Sequence, residues 1–394
     1  MALNHSPQIV TNGLVFAYDM NNTQKSWKGA PTTNLISISN WNNNLTGWSS
    51  WFWVTGTRTM DSVNVLYQGV SVLEGLITGT AQGGPAYLDL GGLSTTLGTT
   101  YTVSVWFKSS SRSCYVYSHD TLGNGTVYGN TTVANGAWQK STFIFTVVST
   151  TGSMRIHLIA NSGNINDTIY VTAPQVELGS LSTPFVNGTR SNAQAIVDLT
   201  GTNTVTATSL TYNSNNTFSF NGSSDMMTNS VAVSNQSSTN FIGRSWVATV
   251  KPSSSITAGG IFGHVLGSGC TYYCNGGLTV WDGKYAFCWY DNASYQFLDS
   301  GVTATVGQYV QIAGTYNPVD NKARIYVNGI LKNTGASTNL NYGNFAYQYQ
   351  IGYLSASTSK FAGTIDQLMW YYNKTLTDTE VLQNFNAHKG RYGL

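Results

Sequence analysis

Charge is what this sequence has least of: lysine plus arginine number 18 and aspartate plus glutamate 16 in 394 residues, for a formal net charge of +2. The cations are scattered without a basic run, so nothing in the chain tracks a phosphate backbone, and nucleic acid is not an expected partner. Glutamate occurs only at Glu74, Glu177 and Glu380, each in a separate context. A sandwich glycanase needs two carboxylates roughly 5 to 9 Å apart, and no stretch carries an E-x-x-E or E-x-D-x-x-E set. Aspartates such as Asp120, Asp282, Asp291 and Asp320 fall in turn-like surroundings. The histidines His5, His119, His157, His264 and His388 stand without a nucleophile and acid pattern around them. The chain is therefore expected not to be an enzyme, with an Asp pair formed across loops as the way in which hydrolysis stays open.

Other absences narrow the class further. Cys114, Cys270, Cys274 and Cys288 include no C-x2-C pair, which argues against a zinc knuckle. They read as buried or idle thiols, with a local bridge from Cys270 or Cys274 to Cys288 as the alternative. No stretch reaches the roughly 18 apolar residues that span a bilayer, so membrane insertion is not expected. The opening MALNHSPQIV lacks the basic and apolar blocks of a signal peptide, and synthesis in a cytoplasm without Sec-type export is the expectation. Sequons at Asn44, Asn124, Asn187 and Asn292 arise by chance in a chain so rich in Asn, Ser and Thr, and are read as unmodified.

What is present is 41% hydrophobic and 13% aromatic residues with 41 glycines. Short aromatic and β-branched strands joined by polar turns follow, and the expected fold class is all-β. Strands are expected at Gln8 to Tyr18, Tyr87 to Leu90, Tyr101 to Phe107, Cys114 to Tyr117, Trp138 to Val148, Met154 to Ile159 and Ile169 to Leu178. A later series covers Phe241 to Lys251, Gly260 to Gly263, Leu278 to Trp281, Tyr285 to Tyr290, Tyr309 to Tyr316, Ala323 to Val327 and Tyr349 to Gly352. Asp282-Gly283 and Asn328-Gly329 carry hairpin-turn chemistry, because both residue types accept positive φ. The last strand has Ile365, Leu368 and Trp370 as its apolar residues. Thr377 followed by Glu380 then predicts a capped helix with Val381, Leu382 and Phe385 as its apolar stripe and Gly390 as its stop.

Phe361, Gly363, Ile365, Asp366, Leu368, Tyr371, Asn373, Leu376, Thr377, Glu380 and Val381 together resemble the closing line of concanavalin A-like, laminin-G-type sandwiches found in phage structural proteins. The phrase ARIYVNGIL and the ending NFNAHKGRYGL are similar to the same group. Its opening phrase is matched by Gly13, Leu14, Val15 and Asp19. The turn and strand that follow it directly in that family are met only at Asp198-Leu199-Thr200-Gly201 and Phe218-Ser219-Phe220-Asn221-Gly222. The separation implies a module inserted into an early loop between about Pro31 and Arg190. The expected domains are residues 1–33 with 190–394, a sandwich ending in a short helix, and residues 34–189, a jelly roll. TYTVSVWFKSS, GAWQKSTFIFT and Ala173-Pro174-Gln175-Val176-Glu177-Leu178-Gly179 with Pro184 and Phe185 resemble family 4/9-like carbohydrate-binding modules; Glu177 reads as structural.

Sugars offer apolar C–H faces to aromatic rings and hydroxyls to amides and carboxylates. Trp41, Trp48, Trp51, Phe52 and Trp53 lie among Asn and Ser and are glycan-binding candidates, with core packing as the competing reading. Tyr272, Tyr273, Trp281, Trp289 and Tyr290 are the corresponding candidates in the main sandwich, against a core or subunit-contact role. Calcium is the accessory that the laminin-G-like resemblance implies. Asp225, Asp291, Asn292 and Asp366 are weak candidate ligands, with hydrogen-bonded turns as the alternative. The resemblance implies a bacteriophage virion structural protein, a head or tail fibre or a capsid or tail decoration. It would be made in the host cytoplasm, be homo-oligomeric, and contact other virion proteins and host surface glycan. A purely structural spacer or cement protein and a glycan depolymerase are the rival readings.

Overall fold

A computed structural model describes residues 8–23, 25–36, 48–49, 56–60, 66–67, 70–71, 73–77, 86–110, 113–119, 127–148, 153–161, 167–213, 217–230, 243–264, 276–290, 295–336, 349–354 and 360–394. The chain divides into two units, Met1–Ala30 with Ser191–Leu394, and Pro31–Arg190.

The discontinuous unit is two stacked antiparallel sheets. One runs in the order Thr211–Tyr212, Phe218–Asn221, Ala362–Tyr372, Arg244–Pro252, Val310–Asn317, Lys322–Val327, Ile330–Ala336. Its longest strand, Ala362–Tyr372, holds two short partners along one edge. The opening strand Leu14–Asp19 lies opposite residues 367–371, and Phe218–Asn221 lies opposite Ala362 and Gly363. The second sheet runs Val205–Thr208, Met226–Asn229, Tyr349–Ile351, Ala258–His264, Gly277–Trp281, Lys284–Tyr290, Tyr295–Thr303. Between the sheets lie Phe16, Trp246, Phe262, Tyr285, Phe287, Tyr349, Leu368 and Trp370, each at most 1% exposed. Trp370 meets Tyr349 across the core with ring centroids 4.2 Å apart. Phe287 packs flat on the other sheet at Gly314, where a Cβ would come within 2.4 Å of its ring.

Ile365, Leu368 and Trp370 all face this core although strict alternation would turn Ile365 away. A bulge resolves it: Val250 pairs with Ile365 and Thr249 with Gln367, leaving Asp366 as the extra residue. The two expected hairpins have positive φ at both central residues, Asp282 at 49° with Gly283 at 72° and Asn328 at 51° with Gly329 at 76°.

On the far face of the larger sheet, Ala17, Val247, Ala313, Tyr326, Met369 and Tyr371 form a second apolar layer with Leu376 and Val381. The helix over it, Asp378–Tyr392, starts as expected, with the Thr377 hydroxyl accepting the Glu380 N–H at 3.3 Å and the Glu380 carboxylate accepting the Thr377 N–H at 2.8 Å. Its stripe and stop differ from expectation. Leu382 is 42% exposed and Phe385 half-buried, while the buried face is Val381, Asn384, His388 and Tyr392. Asn384 replaces an apolar residue because it has long-range work: its Oδ1 accepts the Val10 N–H at 2.8 Å and its Nδ2 donates to the Tyr371 hydroxyl at 3.0 Å. The helix continues through Gly390, where open space surrounds the backbone, and ends at Gly393, φ 68°.

Residues 31–190 form two five-stranded antiparallel sheets. One is ordered Val127–Thr132, Ser113–His119, Ser153–Asn161, Ala86–Ser94, Trp48–Ser49; the other is Gln139–Thr146, Thr100–Ser109, Asp167–Leu178, Leu73–Ile77, Gly56–Met60. Tyr101, Val103, Val105 and Phe107 alternate inward, and Tyr101 stacks on Phe145 at 5.8 Å. The Thr32–Thr33 strand pairs with Thr189–Arg190. Glu177, 1% exposed, accepts the Thr183 N–H and hydroxyl, each at 2.8 Å, and the Thr32 hydroxyl at 2.9 Å, so its carboxylate is fully engaged in holding the loop after its own strand.

Candidate aromatic shelf on the smaller sheet

Alternation decides which side chains of the smaller sheet meet solvent. In Lys284–Tyr290, Tyr285, Phe287 and Trp289 turn inward, and Lys284, Ala286 and Cys288 take the outer face. Trp289 is consequently 4% exposed, with its ring 5.7 Å from that of Phe287. Of the two readings open for it, sugar platform or core, Trp289 takes the core one. In Gly277–Trp281, Leu278 and Val280 point in, so Trp281 points out. In Tyr295–Thr303, Leu298 points in, so Tyr295, Phe297 and Asp299 point out.

The register then brings two of these rings together. Ala286 pairs with Thr279 on one side and Asp299 on the other. Trp281 and Phe297, each two residues away in opposite directions, therefore lie on a diagonal that crosses Ala286. Alanine has no bulk to hold them apart, and it is fully buried. The indole and phenyl rings stack at 3.9 Å with 10° between their planes. Trp281 nevertheless remains 40% exposed, and Tyr295 extends the aromatic surface 6.5 Å from Phe297. Phe297 and Tyr295 also pack against Cys288 and Leu354, and the Cys288 sulfur lies 3.5 Å from the Gly277 carbonyl oxygen. Cys270 and Cys274 lie outside the described residues.

Polar groups border the rings. Lys284, paired in register with Trp281, donates to the Asp299 carboxylate at 2.8 Å. That hydrogen bond, with the attraction of the opposite charge, raises the Lys284 pKa. Partial burial pushes the Asp299 carboxyl up, but the hydrogen bonds from Lys284 and the Gly301 N–H outweigh it and hold it below the ordinary value. Asn333 donates to the Asp299 carbonyl at 2.8 Å from the neighbouring sheet's edge strand. The shelf is thus a partly exposed apolar surface with a charged donor and acceptor at its margin, the chemistry that a hexose ring and its hydroxyls require.

The remaining candidates are distributed elsewhere. Trp41, Trp51, Phe52, Trp53, Tyr272, Tyr273, Asp291 and Asn292 lie outside the described residues. Trp48 begins a strand paired with Ala86–Ser94, and Tyr290 ends one opposite Tyr295. Asp225 is fully buried and caps its own turn, accepting the Asn221 N–H at 2.9 Å and the Ser224 hydroxyl at 3.0 Å. Asp366 sits in the bulge, where burial raises its pKa and the Tyr309 hydroxyl donates to it. Among the described residues no three His, Cys, Asp or Glu side chains gather as a metal would need. Asp225 and Asp366 belong to separate hydrogen-bonded sites and are not gathered around a common point. Phe297 and Tyr295 are the aromatic residues that the sequence reading missed. Their signal was the F-L-D alternation, visible only once Tyr295–Thr303 is taken as a strand.

Among curated proteins none matches the chain. Among solved structures the chain is similar, at 16% identity and a TM-score of 0.37, to the binding domain of botulinum neurotoxin serotype D, over 50% of each chain. It is also similar, at 19% identity and a TM-score of 0.37, to domain 4 of a GH43 extracellular arabinanase from Geobacillus stearothermophilus in complex with arabinotriose, over 49% of this chain and 92% of that one. The chain thus spans about half the length of the neurotoxin domain it matches. Residues 225–382 match the family model described as the concanavalin A-like lectin/glucanases superfamily, and with its two stacked antiparallel sheets this part of the chain is a concanavalin A-like domain.

Proposed function

We propose that the chain is a non-catalytic glycan-binding protein, and that it serves as a bacteriophage virion structural protein, a fibre or decoration that attaches particles to host or surface glycan. The observation that carries the binding reading is the Trp281–Phe297 stack, a large apolar surface 40% exposed at Trp281 beside the Lys284–Asp299 pair. Aromatic side chains lose little entropy on binding, and leaving one exposed costs hydrophobic stabilisation that a ligand recovers. The non-catalytic reading is supported by how several of the described carboxylates are used: Glu177 and Asp225 are buried in hydrogen bonds, and Asp299 is held by Lys284. The virion role is supported by the resemblance of the closing strand and helix to phage structural proteins.

A shelf of this kind binds weakly as a single copy, and linking copies strengthens attachment by about 10²- to 10⁴-fold. The chain is therefore proposed to act as an oligomer among other virion proteins. Displayed on beads, it should retain host surface polysaccharide and release no reducing ends. Trp281→Ala beads with unchanged circular dichroism should retain about tenfold less or lower. Full retention by Trp281→Ala would leave a spacer role as the better reading, and released reducing ends would make the protein a depolymerase. Labelling the chain on intact particles tests the virion assignment separately.

A further inference from the structure

We infer that the shelf recognises neutral, hydroxyl-rich sugars and turns away carboxylated ones. The inference rests on the glycan-binding reading above and concerns the class of sugar that the same surface takes. Its basis is the balance of charge around Trp281. Lys284 is the cation beside the rings, and it is already neutralised by Asp299 at 2.8 Å. Asp282, exposed and next in sequence to Trp281, acts on Lys284 through space and adds a negative charge. Lys360, bridged to Gly260, is committed elsewhere: its ammonium donates to the Ser224 carbonyl at 2.9 Å and lies over the Tyr353 ring. The connections that join the shelf's strands add no cation, since residues 265–276 contain no lysine or arginine and residues 291–294 contain Asp291.

A sugar ring stacked on Trp281 therefore meets one lysine and two aspartates, a net charge of −1. Sialic acids and uronates would bring a carboxylate to a surface whose described charges beside Trp281, Lys284 with Asp282 and Asp299, sum to −1. At separations of about 4 to 8 Å between solvent-exposed groups, repulsion between like charges is worth roughly two- to fivefold in affinity. Neutral hexoses escape that penalty. Their hydroxyls donate to Asp299 and accept from Lys284, whose remaining ammonium hydrogens stay available.

The test is an array of surface oligosaccharides in which each neutral structure is paired with its sialylated or uronylated form, probed with the full chain displayed on a multivalent carrier. Neutral members should bind about two- to fivefold more tightly than their acidic counterparts, and about 1 M salt should narrow the gap by screening. Asp282→Asn should narrow it too, because asparagine keeps the positive φ of the turn and removes the charge. Trp281→Ala should abolish binding of both forms. Acidic forms bound as well as or better than neutral ones, in a manner lost with Trp281→Ala, would overturn the charge inference and leave the shelf as a glycan site. No Trp281-dependent signal on any glycan would overturn the functional reading and this inference with it.

Discussion

Trp281 and Trp370 show how the same residue type takes opposite roles according to its sheet position. Trp370 faces inward, 1% exposed, against Tyr349 and Tyr372. Replacing it with alanine opens a cavity that neighbours on two rigid sheets cannot fill, and should cost about 3 to 5 kcal/mol in denaturant unfolding. Trp281 faces outward, so its alanine variant should lose less than Trp370→Ala, namely one aromatic pair worth about 0.5 to 1.5 kcal/mol together with the buried part of the indole. A Trp370→Ala chain of unchanged stability would displace the closing strand from the core.

His388 supplies a second residue-scale expectation. It lies on the buried face of the terminal helix, with Nδ1 3.0 Å from the Asn384 carbonyl oxygen. Burial lowers its pKa below the ordinary 6.5, and Arg391 adds to this, while the Asn384 hydrogen bond and Asp19 oppose it. The unfolded chain therefore binds the proton more readily than the folded one, so this contribution is full above pH 6.5 and is lost as pH falls through the folded pKa. Melting temperature should decline as pH drops below about 6.5, and His388→Gln should flatten that limb. A wild-type limb that rises in this interval relative to the variant would contradict the burial.

At the scale of elements, the terminal helix is a clasp. Its Thr377 cap should be worth about 1 kcal/mol on replacement by alanine. Asn384 has the larger effect, since Asn384→Ala leaves the Val10 N–H without its buried acceptor and removes the bond that the Tyr371 hydroxyl accepts, at an expected cost of about 1 to 3 kcal/mol; that hydroxyl keeps its own bond to the Val10 carbonyl at 2.8 Å. Hydrogen exchange at Val10 should accelerate in that variant and remain protected in Thr377→Ala. The parts of this region legible in the sequence were those set by neighbours along the chain: the Thr377 and Glu380 cap, the Asp-Gly and Asn-Gly turns, and the β-rich composition that gives the all-β class. The helix face was not legible, because what buries Asn384 and His388 is the chain's opposite end and not their own periodicity. The bulge at Asp366 was hidden for a similar reason. Three-residue spacing from Ile365 to Leu368 has meaning only against the register of Arg244–Pro252. The shelf needed more still, since the stack of Trp281 on Phe297 depends on a strand on either side of Ala286 and on alanine being small. Trp289, two positions from Phe287 on the inward face, could be assigned to neither core nor surface from composition, which carries no phase; its strand position makes it core.

At the scale of the whole molecule, the discontinuous unit makes its own closure. The Lys28 N–H donates to the Ala195 carbonyl at 2.9 Å and Trp27 bridges Ile196, so the backbone on the two sides of residues 31–190 is already joined in the sheet-rich core. A chain with residues 31–190 replaced by a short Gly-Ser linker should therefore unfold in one cooperative transition and keep the shelf's binding. Loss of cooperative unfolding in that chain would mean that the unit depends on the residues removed.

Hydroxyl-radical footprinting of the multivalent chain, with and without saturating host surface polysaccharide, tests the central claim at the atoms concerned. Bound glycan should protect Trp281, Phe297 and Tyr295 together, while buried Trp289 and Trp370 stay unreactive in both states. Trp281 oxidised at the same rate with glycan bound as without it would contradict the account.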